Sequence, residues 1–140
     1  MRVVLDTSVV VAGLRSQLGA SNRALTLVAQ RRCVPLVTTA SFLEYEAVLM
    51  RPEQRLATGM KERDVEGFLA ALASAAEPVE LNFLWRPQLS DPSDEMILEA
   101  AVNGQAQAIV THNIRDFQSA AELFSIKVMT PAALLKELKK

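Results

Sequence analysis

The side chains most able to do chemistry in this chain are carboxylates that follow short apolar runs. Asp6 ends the β-branched run 2–5, and Asp91 and Asp94 open a helical segment after a weaker run. Apolar runs that alternate with helical segments are typical of βαβ units, and ligands bind outside the carboxyl ends of such parallel strands. The polar residues expected at that edge of the sheet are Asp6, Glu44, Asp91, Asp94, Asn113 and Asp116.

Acids gathered in this way indicate a metal site rather than an acid–base pair. Neighbouring carboxylates repel one another and raise each other's pKa, and a hard divalent cation relieves that repulsion. Both Mg²⁺ and Mn²⁺ prefer carboxylate and water oxygens as ligands. Cys33 and His112 are the only residues of their types, which excludes an intrachain disulfide and argues against a zinc site of the Cys/His type.

Glu44 lies in the largely apolar segment 40–50, where burying an unpaired carboxylate is costly. Its small neighbours Ala40 and Ala47 leave room for an ion beside it. Glu46 lies on another face of the same predicted helix. Periodicity alone does not choose between the two glutamates.

Each of these polar residues also has a purely structural interpretation. Asp6 could cap the helix that follows it, although its apolar flanks favour partial burial and a specific role. Asp91 is placed to cap a helix and Asp94 to complement the helix dipole, and we rank Asp94 above Asp91 as a ligand. Asn113 and Asp116 are both ordinary residues for a turn or loop.

The elements that must position these residues are predicted from periodicity and capping signals. Strands are expected at 2–5, 34–38, 79–81, 108–111 and 127–129. Helices are expected after a cap at Thr7 or Ser8, at 21–31, from Thr39 or Ser41 to 50, at 60–75, at 92–103 and from 131 onwards. The alternation indicates one α/β domain, residues 1–140, with a central parallel sheet of four to five strands.

The composition excludes several classes of protein. With 140 residues, 50% of them apolar, and a net charge of −1, the chain fits one ordered domain. Asp6 interrupts the apolar N-terminal run early, so we expect no signal peptide, no transmembrane helix and a cytoplasmic location. The charge argues mildly against a nucleic-acid partner, but cations bound at the acidic edge would reverse its sign.

Four stretches together resemble the PIN-domain ribonucleases, and in particular the VapC-like toxins of bacterial and archaeal toxin–antitoxin systems. They are Val3-Val4-Leu5-Asp6-Thr7-Ser8, Ser41-Phe42-Leu43-Glu44-Tyr45, Asp91-Pro92-Ser93-Asp94 with the helix after it, and Ala108-Ile109-Val110-Thr111-His112-Asn113 with Asp116-Phe117. No single stretch is specific. Their order and spacing match the family over nearly the whole chain.

The resemblance implies a three-layer α/β/α domain whose acids bind one or two Mg²⁺ or Mn²⁺ ions. Carried over by position, the metal-binding and catalytic acids are Asp6, Glu44, Asp94 and Asp116. The residues expected to support them are Thr7, Ser8, Asp91, Thr111 and Asn113, with Thr7 or Ser8 orienting Asp6 or a metal-bound water. Many relatives carry Asp where Asn113 stands, so either Asn113 or Asp116 fills the fourth position.

The chemistry that this set implies is hydrolysis of RNA. One metal ion would activate a water molecule and the same or a second ion would stabilise the leaving oxygen, so no His or Lys base is needed. The arginines available to hold phosphates, each otherwise an ordinary surface residue, are Arg15, Arg23, Arg51, Arg86 and Arg115. The resemblance further implies a small antitoxin protein as a partner and a homodimer.

Two other functions remain open at this point. Asp6 suits an aspartyl-phosphate nucleophile, but Ser8 stands where that chemistry wants a second Asp, and no Lys follows a late strand convincingly. A PIN-like module that binds RNA or protein but has lost its metal is kept open by Asn113. Metal titration separates this module from an enzyme, because a module without a metal site gains no stability from Mg²⁺ or Mn²⁺.

Overall fold

A computed structural model describes residues 1–82 and 88–139 of the chain. Its strands are β1 (Arg2–Leu5), β2 (Val34–Val37), β3 (Glu77–Pro78), β4 (Ala108–Val110) and β5 (Lys127–Met129). Its helices are α1 (Thr7–Arg15), α2 (Ala20–Ala29), α3 (Thr39–Leu49), α4 (Pro52–Thr58), α5 (Glu62–Ala75), α6 (Pro92–Asn103), α7 (Ile114–Leu123) and α8 (Pro131–Lys139).

The strands form one sheet in the order β3-β2-β1-β4-β5, and every neighbouring pair is parallel. In β1, Val3 pairs with Pro35 of β2 on one side and with Ala108 of β4 on the other. Val3, Val4 and Leu5 are all buried, as expected for a central strand that has helices on both faces. The five-stranded parallel sheet confirms the predicted α/β fold.

The direction of the chain across the sheet reverses between β1 and β4. From β1 the chain steps through β2 to β3, and then crosses back through α6 to β4. Right-handed crossovers in opposite directions place their helices on opposite faces of a sheet. Accordingly, α2 packs against α1, α5 and α8, whereas α6 packs against β1, β2, β4 and α7. The carboxyl ends of β1 and β4 therefore border a crevice of the kind in which open α/β sheets bind ligands.

Gly13 sets the close packing of α1 on α2. A Cβ atom at this position would lie 2.5 Å from Cδ1 of Leu25 and 3.2 Å from the carbonyl carbon of Ser21. The Nδ2 group of Asn22 also donates to the carbonyl oxygen of Gly13 at 2.8 Å. These contacts hold the first turn of α2 beside α1.

The third strand was predicted at 79–81, and that prediction is wrong. The strand is Glu77–Pro78, paired with Leu36 and Val37 of β2. The apolar residues Val79 and Leu81 had indicated the later position. Pro78 lacks an N–H but is tolerated because β3 is an edge strand.

Two helices were not predicted, α4 and α7. Helix α4 begins at Pro52, shortly after the predicted end of the preceding helix, because Pro ends one helix but is favoured in the first turn of another. Helix α7 follows Asn113 directly and buries Phe117, Ala120 and Ala121 at helical spacing. No helix in the described ranges is long and apolar enough to cross a membrane.

Candidate metal centre

Asp6 occupies the carboxyl end of β1 and is only 5% exposed. Its backbone N–H donates to the carbonyl oxygen of Val110 in β4 at 2.9 Å. Its Oδ2 atom accepts hydrogen bonds from Ser8 Oγ at 2.9 Å and from Thr111 Oγ1 at 2.7 Å. Asp6 stands at the N-cap position of α1, but its side chain makes no capping hydrogen bond. The carboxylate is thus oriented by hydroxyls from both sides of the β1–β4 crevice.

Ser8, and not Thr7, is the neighbour that contacts Asp6. The Oγ1 atom of Thr7 is buried without a hydrogen-bond partner among the described residues. The second hydroxyl that holds Asp6 comes from Thr111, which is fully buried at the end of β4. Thr111 Oγ1 also accepts from the N–H of Asn113 at 2.9 Å, so one side chain joins Asp6 to the β4–α7 turn.

Tyr45 anchors α3 beneath the end of β1. Its buried hydroxyl donates to the carbonyl oxygen of Leu5, one residue before Asp6. Burial raises the pKa of Tyr45, and the negative charge of Asp6 raises it further. The phenol is therefore a neutral donor throughout the physiological range. Thr38 and Ser41 begin α3 with a reciprocal capping box, at 3.0 Å in each direction.

Glu44 projects from α3 to the start of α6. Its Oε1 atom accepts a hydrogen bond from Ser93 Oγ at 3.0 Å, and its side chain is half-buried. Glu46 is also half-buried but makes no such contact with α6. The structure thus links Glu44, rather than Glu46, to the helix that carries Asp94.

Asp94 lies in the first turn of α6 and is half-buried. Burial raises its pKa to about 6, with further contributions from the negative charges of Asp6, Asp91 and Asp116. These acids come from β1, α6 and α7, so the fold brings them within electrostatic reach of one another. Asp91 is exposed and caps α6 by accepting from the N–H of Ser93 at 2.8 Å.

Asn113 and Asp116 are both exposed at the start of α7. Asn113 occupies the N-cap position without a side-chain capping bond, and its carbonyl oxygen accepts from the N–H of Asp116 at 3.1 Å. Asp116 adds its charge to the environment of Asp94, whereas Asn113 brings a neutral amide to the same turn. The choice between them as a ligand is not made by this geometry.

No three Asp, Glu, His or Cys groups within residues 1–82 and 88–139 are close enough to hold one ion between them. A Mg²⁺ ion keeps several waters and would need only one or two of these carboxylates as direct ligands. Within the same residues, no hydrogen bond engages Oδ1 of Asp6. Hard carboxylate oxygens and mutual repulsion around Asp94 both fit a divalent cation.

Three residues near this edge were not singled out from the sequence. Glu95 is only 6% exposed, and its carboxylate accepts from the N–H groups of Gln88 and Leu89 at 2.9–3.1 Å. Tyr45 was noted only as part of a family stretch. Ser21, 4% exposed, lies 2.8 Å from Nε2 of His112 and joins α2 to the β4–α7 turn. Only tertiary packing creates these contacts.

The predicted phosphate-binding arginines lie at different places. Arg15 is exposed in the last turn of α1 and lines, with Thr7 and Ser8, a shallow groove of about 590 Å³ along that helix. Arg115 is exposed in the first turn of α7. Arg86 lies outside the described residues.

A family model described as PIN domain matches residues 2–115, the greater part of the chain. The matched segment runs from β1 into the first turn of α7 and stops one residue before Asp116. It includes Asp6, Glu44 and Asp94. No curated protein and no solved structure matches the chain.

Proposed function

The chain belongs to the PIN-domain family, and from that premise we propose that it is an Mg²⁺- or Mn²⁺-dependent endoribonuclease acting at the β1–β4 crevice. PIN domains are typically nucleases, and they typically use divalent metal ions. The observation that carries the proposal is the acidic environment of Asp94, to which Asp6, Asp91 and Asp116 all contribute. A partly buried acid whose pKa is raised by burial and by neighbouring carboxylates, at a ligand crevice, is typical of a functional site.

The residues that would bind one or two cations, directly or through metal-bound water, are Asp6, Glu44, Asp94 and Asp116. Asp6 offers the most rigid ligand, because Ser8 and Thr111 hold its other oxygen. Glu44 and Asp94 belong to α3 and α6, and the hydrogen bond from Ser93 to Glu44 joins these two helices. Asp91 would support this set as the cap of α6, and Thr7 as the first residue of α1. Asn113 would support it from the turn between β4 and α7.

When bound, a divalent cation supplies a water of lowered pKa and charge neutralisation at the scissile phosphate. The chain's own residues then have three tasks. Asp6 and Asp94 would hold the cation at the crevice, and Thr111 keeps Asp6 in one orientation. Arg15 and Arg115 lie on the two helices that start at this edge and would contact phosphates of the strand.

The experiment that tests the proposal is cleavage of a mixed single-stranded RNA by the wild type with Mn²⁺, with Mg²⁺ and with EDTA. We expect cleavage that EDTA abolishes. Asp6→Asn should lower kcat by at least two orders of magnitude, since it removes a ligand charge without changing shape. Full activity in Asp6→Asn would contradict the assignment.

Glu44 and Glu46 provide a matched pair within one helix. Both are half-buried glutamates of α3, but among the described residues only Glu44 forms a hydrogen bond with α6. We expect Glu44→Gln to lose most of the metal-dependent cleavage and Glu46→Gln to retain it. Asn113→Asp and Asp116→Asn, assayed in the same way, identify the fourth ligand by which substitution changes the Mn²⁺ concentration at half-maximal rate.

The biological role that we propose is that of a toxin in a toxin–antitoxin pair. Its support is the resemblance of the four sequence stretches to VapC-like toxins. A small antitoxin protein and a homodimer belong to the same proposal. Growth arrest on expression of the wild type, relieved by Asp6→Asn, is the expected result. Unimpaired growth would contradict the toxin role and leave the nuclease proposal to the cleavage assay.

A second candidate function is a PIN-like module that binds RNA or protein without cutting. Two observations favour it: the neutral Asn113 in the turn after β4, and the absence of three close metal-ligating groups among the described residues. RNA binding by a protein that neither cleaves RNA nor gains stability from Mn²⁺ would select this alternative.

A further inference from the structure

A groove between α2 and α8 concentrates positive charge away from the carboxylates. It has a volume of about 260 Å³, and its lining includes three cations, Arg23, Arg32 and Lys139. All three side chains are exposed. No ion pair in residues 1–82 and 88–139 involves any of them. Arg32 is directed across the groove, since its Nη2 donates to the carbonyl oxygen of Leu138 at 3.3 Å.

Among the described residues, no side-chain carboxylate lines the groove. The segment 20–32, which forms one wall, contains no acidic residue. Glu137 is the acid of α8, and it is not part of the lining. Leu27, Leu135 and Leu138 add apolar side chains to the lining. Although the chain has a net charge of −1, the charged side chains that line this groove, among the described residues, are all positive.

The start of α2, the helix that forms one wall of the groove, lies close to the turn between β4 and α7. Ser21, in the first turn of α2, lies 2.8 Å from His112, which directly follows the Thr111 that holds Asp6. Arg23 is two residues further along the same helix. From Ser21 to Ala29, the end of α2, the chain rises roughly 12 Å, which corresponds to about four nucleotides at the spacing of stacked bases.

We propose that the α2–α8 groove binds the phosphate backbone of the RNA strand on one side of the cleavage point. The inference rests on the proposed nuclease function for its choice of polyanion. Arg23 would contact phosphates near the crevice, and Arg32 with Lys139 would contact phosphates several nucleotides away. The site is sequence-independent, because backbone contacts position a strand without reading its bases.

The test is binding of fluorescently labelled single-stranded RNA in EDTA, with every protein carrying Asp6→Asn to prevent cleavage. The groove variant is Arg23→Gln, Arg32→Gln and Lys139→Gln. The matched control removes three exposed cations elsewhere, by Lys61→Gln, Arg63→Gln and Lys127→Gln. A third variant, Arg23→Lys, Arg32→Lys and Lys139→Arg, keeps the charge and shows whether the groove tolerates substitution.

Counterion release sets the expected size of the effect. Losing three phosphate contacts should make the plot of the logarithm of the RNA-binding constant against the logarithm of the salt concentration less steep by about 2. At about 0.1 M salt, the affinity for RNA should fall by about 10- to 100-fold. The loss should appear with an RNA of about 12 nucleotides and be small with one of about three, which cannot span the groove. The charge-conserving variant should bind like the parent protein.

Equal losses in the groove and control variants would overturn the proposal, because they indicate a bulk charge effect. An unchanged affinity in the groove variant would overturn it as well. Binding of a polyglutamate peptide in the groove, with no groove effect on RNA, would assign the surface to an acidic protein instead. Wild-type cleavage is measured separately, so a failed nuclease proposal and a failed groove proposal give different results.

Discussion

At the scale of single residues, hydroxyl groups organise the acidic edge. Ser8 and Thr111 both donate to one oxygen of Asp6, and Thr111 also accepts from the backbone of Asn113. A carboxylate held in this way presents its other oxygen, Oδ1, in one fixed orientation. Residues that orient a metal ligand contribute to affinity although they never touch the ion.

We predict that Thr111→Val weakens metal binding by disturbing the orientation of Asp6, although it leaves every proposed metal ligand in place. Valine keeps the shape of the buried side chain but removes its hydroxyl, so the free energy of unfolding should fall by about 1–3 kcal/mol. The affinity for Mn²⁺ should fall by about 10- to 100-fold. Urea denaturation and isothermal titration calorimetry measure the two effects. Unchanged Mn²⁺ affinity would show that Asp6 is not oriented through Thr111.

Asp94 makes stability depend on pH in a defined direction. Its pKa in the folded protein is about 6, above its ordinary value of 3.8, because it is partly buried and its neighbours are acids. The folded state therefore binds more protons than the unfolded state between these values, and stability falls as pH rises from about 4 to about 6.

We expect Asp94→Asn to remove this fall in stability between about pH 4 and about pH 6. In EDTA, the variant should gain free energy of unfolding relative to the wild type above pH 6, and the gain should shrink towards pH 4. Urea denaturation at a series of pH values measures the difference. Glu66→Gln, an exposed change on α5, serves as the control. A gain that is the same at every pH would exclude relief of charge repulsion.

At the scale of elements, α6 and the segment before it are joined by Glu95. Its carboxylate is buried and accepts from the backbone N–H groups of Gln88 and Leu89. Asp91 caps the same helix, and Ser93 contacts Glu44 of α3. The first turn of α6 thus fixes the approach of the chain, the position of Asp94 and the contact with α3 together.

We predict that Glu95→Ala destabilises the protein by about 1–3 kcal/mol, because it leaves two N–H groups without their acceptor. Glu95→Gln keeps one carbonyl oxygen and should lose less. The measurement is chemical denaturation in EDTA, so that metal binding does not contribute. Wild-type stability in Glu95→Ala would mean that water replaces the carboxylate without cost.

At the scale of the whole molecule, the reversal between β1 and β4 brings distant parts of the chain together. Asp6 and Thr111 are 105 positions apart in sequence and share a hydrogen bond. Helices α3, α6 and α7 reach the same edge from three later parts of the chain. A cation bound there would therefore join elements from across the domain, and its binding would stabilise the fold as a whole.

We expect Mn²⁺ at about 100 times its Kd to add roughly 2.7 kcal/mol to the free energy of unfolding. For a domain of this size, that gain corresponds to a rise in Tm on the order of 10 °C. Asp6→Asn should lose most of the rise, and Glu66→Gln should keep it. Thermal denaturation followed by circular dichroism measures both. A rise of equal size in Asp6→Asn would place the ion elsewhere.

Local patterns in the sequence were sufficient for the main elements of the fold. The β-branched run of β1, the Asp-Pro start of α6 and the Gly after it, and the alternation of strands with helices predicted the parallel α/β domain. These features depend on propensity and capping, which act over a few residues. Helices α4 and α7 were not predicted, and the position of β3 was predicted wrongly. A proline such as Pro52 is compatible with the end of one helix and with the start of another. The position of the edge strand β3 depends on its pairing with β2.

The sequence by itself also determined which residues carry negative charge and carboxylate oxygens, because side-chain chemistry does not depend on the fold. Only the tertiary structure decided what holds them. Thr111 reaches Asp6, Ser93 reaches Glu44, and Tyr45 reaches Leu5 through contacts between elements far apart in sequence. Burial and charge at Asp94 likewise depend on which helices meet at the crevice. Such contacts leave no periodic signal in a single chain, because they arise from the arrangement of elements rather than from the residues within any one of them.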